Sequence, residues 1–183
     1  LRLHSEYSIV DGLVRVDDAV DVAARDDQPA MALTDLSNLF GLIKFYKAAR
    51  KKGIKPIAGC DVWITNEADR EKPSRLLLLV KDRTGYLNLC ELLSRAWLEN
   101  QYRGRAEMKI EWFEALSAGG SDPGLIALSG ARDGDIALAF ETGNPENAER
   151  NALRWARIFP DSFYIEVQRT GQLGLEQYVR QAV

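Results

Sequence analysis

The sequence predicts an α/β fold in which strands and helices take turns, in the manner of a parallel sheet or barrel. Three observations carry this. Short apolar runs recur along the chain (AMALT at 30–34, LLLLV at 76–80, LIALS at 125–129). Between them lie longer segments with apolar residues at helical spacing. Glycine and proline mark the changes from one to the other, as at Gly53 and Pro56.

The elements follow in order. Leu1 to His4 reads as a short strand, and Asp17 to Arg25 as a helix with Val16, Ala19, Val20 and Ala23 on one face. Ala30 to Thr34 is a buried strand. Ser37 or Asn38 can cap a helix that runs to Lys52, with Leu39, Leu42, Ile43, Tyr46 and Ala49 in phase. Lys44, Lys47 and Lys51 fall on its other side. Pro56 to Thr65 is a strand, and the continuous run Leu76 to Val80 suits a strand covered on both faces. Thr84 to Asn100 is a long helix with Tyr86, Leu89, Leu93 and Trp97 in phase, and Ile110 to Leu116 a shorter one. Leu125 to Ser129 is a strand, Gly134 to Glu141 and Pro145 to Phe159 are helices, Phe163 to Val167 is a strand, and a helix starts at Leu173. The polar or glycine-rich stretches Asn66 to Ser74, Gln101 to Lys109 and Ala118 to Gly124 read as loops. A complete barrel of this kind takes about 250 residues. This chain has 183, enough for a single domain of roughly six βα steps that reads as a cytoplasmic fragment of something longer.

Composition narrows the function. Hydrophobic residues make up 46% and charged residues 28%, as in ordinary soluble domains. Lys plus Arg number 24 against 27 Asp plus Glu, a net charge of -3 that gives no field for holding DNA by its phosphates. The basic helix face (Lys44, Lys47, Arg50, Lys51, Lys52) reads as solvated. Cys60 and Cys90 form no CxxC pair and read as buried free thiols. Trp63, Trp97, Trp112 and Trp155 read as core side chains. No apolar stretch is long enough for a membrane span, and no signal peptide is visible.

In strand–helix barrels, chemistry sits at the carboxyl ends of strands. Those ends carry His4-Ser5-Glu6, Thr34-Asp35-Leu36, Cys60-Asp61, Ser129-Gly130-Ala131, and Glu166 with Arg169-Thr170-Gly171; Ser74-Arg75 opens the fourth strand. The blocks LRLHSEYSIVDG, ALTDLSNLFGLIKFY, GIKPIAGCDVWI, RLLLLVKDRTGYLNL and LSGARDGDIA, in this order, resemble the PHP (polymerase and histidinol phosphatase) domain. The form they resemble most stands at the N-terminus of bacterial DNA polymerase III alpha subunits. The resemblance covers nearly the whole chain and implies a distorted seven-stranded α/β barrel whose C-terminal part lies outside this sequence. Active members hold up to three metal ions that activate water and clamp phosphoryl oxygens.

Carried over position by position, the resemblance implies a depleted ligand set. The opening His-x-His falls on Arg2 and His4, and the following acidic residue on Asp11. Thr-Asp-His falls on Thr34-Asp35-Leu36, a glutamate on Asp61, a histidine on Arg75 and a cysteine on Ala131. The final Asp-x-His block falls beyond Val183. His4, Asp11 and Asp61 retain ligand chemistry; Arg2, Leu36, Arg75 and Ala131 do not. Two of these are permanent cations, which repel a divalent ion and suit ion pairs with Asp11, Asp35 or Asp61. The alternatives are that the arginines lie on the surface, that Asp35 caps a helix, and that Asp11-Gly12 is a plain turn.

Two functions follow as expectations. In the first, no catalytic residue and no metal is expected. The domain then steadies the rest of the polymerase III alpha subunit and docks the separate proofreading exonuclease subunit, touching DNA only through the full-length protein. In the second, His4, Asp11, Asp35 and Asp61 hold one magnesium or manganese ion and act as a residual phosphoesterase, pyrophosphatase or 3′–5′ exonuclease.

Overall fold

The structure, a computed structural model, describes residues 2–168 and Arg180. Its elements are α1 (Val16–Arg25), β1 (Ala30–Leu33), α2 (Leu42–Lys51), β2 (Lys55–Ile64), β3 (Ser74–Val80), α3 (Arg83–Glu99), β4 (Gln101–Tyr102), β5 (Arg105–Met108), α4 (Ile110–Leu116), β6 (Leu125–Leu128), α5 (Asp135–Glu141), α6 (Pro145–Ile158) and β7 (Phe163–Tyr164). The helix expected from Leu173 lies outside the described residues.

One sheet of seven strands runs β4-β5-β2-β3-β6-β7, with β1 added on β2. The ten-residue β2 organises it. Lys55 to Ala58 pair with β1, while Gly59 to Ile64 pair with β3. Trp63 and Ile64 also pair with β5, on the edge opposite β3. Among the described residues the sheet does not close into a barrel, because β4 and β7 end the path unpaired with each other.

The pairing is also mixed rather than parallel throughout. β1, β2 and β5 run parallel, as do β6 and β7, but β3 is antiparallel to both of its neighbours. No helix intervenes between β2 and β3, so the chain returns along the strand it has just left. This places the first residues of β3 at the same end of the sheet as the last residues of β1, β2, β6 and β7.

Alternation along the strands divides the core. Cys60, Val62, Ile64, Leu76 and Leu78 join α3, α4 and α6 on one face, around an aromatic group of Phe113, Trp155 and Phe159. The opposite face holds Ala32, Leu77 and Leu79, with Ile57, Ile126 and Leu128 packed against them. By the same alternation Asp61, Trp63 and Arg75 belong to this second face, since Asp61 is paired with Leu77 and Trp63 with Arg75.

Several expectations need correcting. Leu1 to His4 is not a regular strand: Leu3 does accept from the Thr34 N–H at 2.9 Å, but its own N–H goes to the Thr34 hydroxyl, so a side chain takes the place of a ladder bond. Helix α2 begins at Leu42 with Gly41 at its cap, not at Ser37 or Asn38. Its buried stripe is Leu42, Phe45 and Ala49, which leaves Ile43 and Tyr46 exposed. The stretch Gln101 to Lys109 contains the β4–β5 hairpin, turned by Arg103 (φ 49°) and Gly104 (φ 80°) in the positive-φ pair that suits strand twist. Strand β7 stops at Tyr164. Trp97 and Tyr86 are each 38% exposed, and Cys90 is half-buried rather than buried.

Candidate functional site

The site is built around Asp61, whose side chain is wholly buried on β2. One carboxylate oxygen, Oδ2, receives three cationic groups. Arg2 Nη1 donates to it at 2.5 Å, His4 Nε2 lies at 3.1 Å, and Arg75 Nη1 at 3.2 Å. They come from two places in the chain. Arg2 and His4 stand on the N-terminal segment beside the end of β1, and Arg75 is the second residue of β3. The antiparallel return of β3 brings Arg75 diagonally across from Asp61, stacked on its cross-strand partner Trp63 with 4.0 Å from guanidinium carbon to ring centroid.

The cations have further partners. Arg2 makes a fork to Glu166, just after β7, at 3.0 and 2.8 Å. His4 Nδ1 faces Asp11 Oδ2 at 2.9 Å, and Arg75 Nη2 lies 3.6 Å from the same oxygen. Arg2, Arg75 and His4 thus stand against Asp61, Asp11 and Glu166.

Two buried serines tie this cluster to the loop that follows it. Ser8 Oγ donates to Asp11 at 2.7 Å and accepts from the Leu36 N–H at 2.9 Å. Ser5 donates through its backbone N–H (2.6 Å) and its hydroxyl (3.0 Å) to the Asp35 carboxyl. Gly12 closes the loop so tightly that a Cβ there would lie 1.8 Å from the Ser5 carbonyl oxygen. Gly130, at φ 75°, presses equally on Arg75, whose carbonyl oxygen would be 2.2 Å from an added Cβ.

Electrostatics agree with this geometry. Burial works to lower the His4 pKa, but hydrogen bonds and charge from Asp61 and Asp11 outweigh it, and His4 titrates above its ordinary range. Burial likewise works to raise Asp11; Ser8, His4 and Arg75 outweigh it and hold Asp11 low. For Asp35 burial prevails over the two Ser5 bonds, and its pKa is raised. Burial pushes the Cys60 thiol far up, so it stays protonated and unreactive.

The eight positions singled out in the sequence therefore separate. Arg2, His4, Asp11, Asp61 and Arg75 meet in one cluster. Asp35 is neighbouring but bound to Ser5, neither capping a helix nor pairing with an arginine. Leu36 is buried and lines an adjacent apolar groove, and Ala131 is a buried residue at φ 49° beside Gly130. Three participants were missed as such: Glu166, Ser8 and Trp63. The Ser5 and Ser8 spacing around Tyr7 and the position of Glu166 at a strand end were visible signals. Among the described residues no group of three or more His, Cys, Asp and Glu stands as metal ligands would.

Two outcomes follow. Asp61→Ala leaves three cations facing two carboxylates, and it should cost about 3–5 kcal/mol in denaturant unfolding, as for one half of a buried pair. A cost under about 1 kcal/mol, the scale of surface pairs, contradicts the cluster's burial. The second concerns pH. His4 has a pKa raised above 6.5 on folding, so its contribution is full below 6.5 and is lost as pH rises through the folded value. Asp11 is lowered from 3.8, so its contribution is present above 3.8 and lost as pH falls through the folded value. The stability advantage of the wild type over His4→Gln should be widest between about pH 4 and 6.5 and shrink in alkali, read from unfolding curves across pH.

The PHP domain model matches residues 1–170. DNA polymerase III subunit alpha of Pseudomonas fluorescens is 44% identical over all 183 residues, and that of Escherichia coli K12 is 36% identical over the same span. In both cases the chain covers 100% of itself and 15% of the relative, so it spans about one-seventh of the length of these proteins. A solved amidohydrolase from Chromobacterium violaceum, with bound sulfate and no metal, superposes with a TM-score of 0.43 at 20% identity, over 98% of this chain and 52% of that one. On the family match and the identity to alpha subunits over the whole of this chain, the chain belongs to the PHP domain family.

Proposed function

We propose that these residues form a metal-free, catalytically silent PHP module of a cytoplasmic DNA polymerase III alpha subunit, one that steadies the polymerase and docks its proofreading exonuclease subunit. The observation that carries this reading is the occupation of Asp61 Oδ2 by Arg2, His4 and Arg75. A divalent ion on that oxygen sits about 2.0–2.6 Å away and needs several further donors. Guanidinium groups have no lone pair to give, and both His4 nitrogens are turned to carboxylates. The residues present do not fit a metal cluster; they fit a set of ion pairs that does the same joining of strand ends without chemistry.

The rest of the reading draws on the relatives. An alpha-subunit module has the remainder of that polypeptide as its first partner, and exonuclease docking follows from the family resemblance. The open face lined by Ile57, Leu79, Ile126 and Leu128, with a cavity of about 1000 Å³, suits closure of the sheet into the family's distorted barrel by polypeptide outside these residues. Among the described residues no helix is long and apolar enough to cross a membrane.

One observation favours the second reading, a residual one-metal phosphoesterase, pyrophosphatase or exonuclease using magnesium or manganese. Asp61 Oδ1 is buried with no hydrogen-bond partner among the described residues, which leaves one donor of the right kind. Hydrolysis assays separate the two. With magnesium, manganese or zinc present, the protein should release no phosphate from pyrophosphate or a phosphomonoester and no nucleotide from a DNA 3′ end above an Asp61→Asn control, while co-eluting with the exonuclease subunit. Turnover that Asp61→Asn abolishes would overturn the silent-module reading.

A further inference from the structure

Beside the ion cluster lies a groove of about 770 Å³ between Ile9 and Val10, the 36–40 turn, the outer face of α3 and the start of β5. Its rim is apolar and mostly presented to solvent: Val10 is 86% exposed, Leu98 84%, Ile9 79% and Phe40 66%. Arg105 is the charged side chain among the described lining residues, and it is already paired with Glu107. A contiguous apolar surface with its charges removed resembles the centre of a permanent interface rather than ordinary protein surface.

The groove is also preformed. Asp11 is held by His4 and Ser8, Ser8 holds the Leu36 backbone, and Gly12 is pressed on Ser5. The ridge of Ile9 and Val10 is therefore fixed before anything docks, which lowers the entropic cost of covering it.

We propose that this groove is the seat of an apolar segment of the same alpha subunit, from the polypeptide outside these 183 residues. The proposal rests on the module reading given above. Its occupant is chosen by chain length: the alpha subunits that match this chain from end to end extend far beyond it, since it covers only 15% of them. Tethered polypeptide competes for a nearby groove at an effective concentration on the order of millimolar, which a free partner seldom reaches. An obligate intramolecular contact also accounts for the apolar character of the rim, because such contacts need never return to water.

The test is hydroxyl-radical footprinting, read by mass spectrometry, on the full-length subunit alone. Phe40, Trp97 and Leu98 should be labelled several-fold more slowly in the wild type than in Val10→Asp/Leu98→Asp (Phe40 and Trp97 read there), at every protein concentration. Phe40→Asp, read at Trp97 and Leu98, serves as a second variant. All three substituted side chains are mostly exposed within the module, and circular dichroism checks that its fold is kept. Labelling at solvent rates in the lone wild-type subunit overturns the proposal. So does protection that needs the exonuclease subunit, which then owns the surface, or protection that grows with concentration, which indicates a second copy. A polymerase assay on the same wild-type sample tests the module reading separately: absence of DNA synthesis sinks that reading whatever the footprint shows.

Discussion

A carboxylate removed from water must find positive charge, and Asp61 has none beside it on its own strand, whose one cation, Lys55, stands six residues away. Its neighbours in sequence are Cys60 and Val62, both buried and neutral. The compensation arrives from two remote points, the N-terminal segment with Arg2 and His4 and the start of β3 with Arg75, and Arg2 also binds the carboxylate of Glu166, which follows β7. The N-terminal segment, β2 and the start of β3 thereby meet at one oxygen atom, and Arg2 links the residue after β7 to it. Removing the carboxylate would leave a knot of cations, and removing the arginines would leave a buried anion. Each half makes the other necessary.

The cluster also shapes what lies next to it. Asp11 belongs both to the ion pairs and to the loop whose tip is Ile9 and Val10. The hydrogen bond from the Leu36 backbone to Ser8 ties the same loop to the turn after β1, and Leu36 lines the apolar groove. A position that resembles a metal ligand thus serves, through its backbone, to seat a loop. The chemistry of the site and the shape of the adjoining surface are set by one short run of residues, LRLHSEYSIVDG.

Much of this was legible in the sequence, and the failures have physical causes. Helical spacing located α1, α3, α4, α5 and α6 because each buries a stripe of apolar residues. In α2 the same rule selected Ile43 and Tyr46 and passed over Phe45, since the apolar residues there run around more than one face. The LLLLV run marked a strand covered on both sides but said nothing of its direction, which depends on the helix-free return from β2. A two-residue strand such as β4 is too short to show alternation, and β7, expected from Phe163, ends sooner than its apolar run. At the site, residue type foretold which groups bear charge, while the choice among Asp11, Asp35 and Asp61 required the register of β2 on β3 and the two serine hydroxyls that claim Asp35 and Asp11.

Metal content tests the central claim most directly. The protein, purified with zinc and manganese present and freed of loose metal, should carry near-zero ions by elemental mass spectrometry, because arginines already hold the carboxylate that an ion would need. One or more tightly bound ions per chain would contradict the account and make His4 and Asp61 ligands after all.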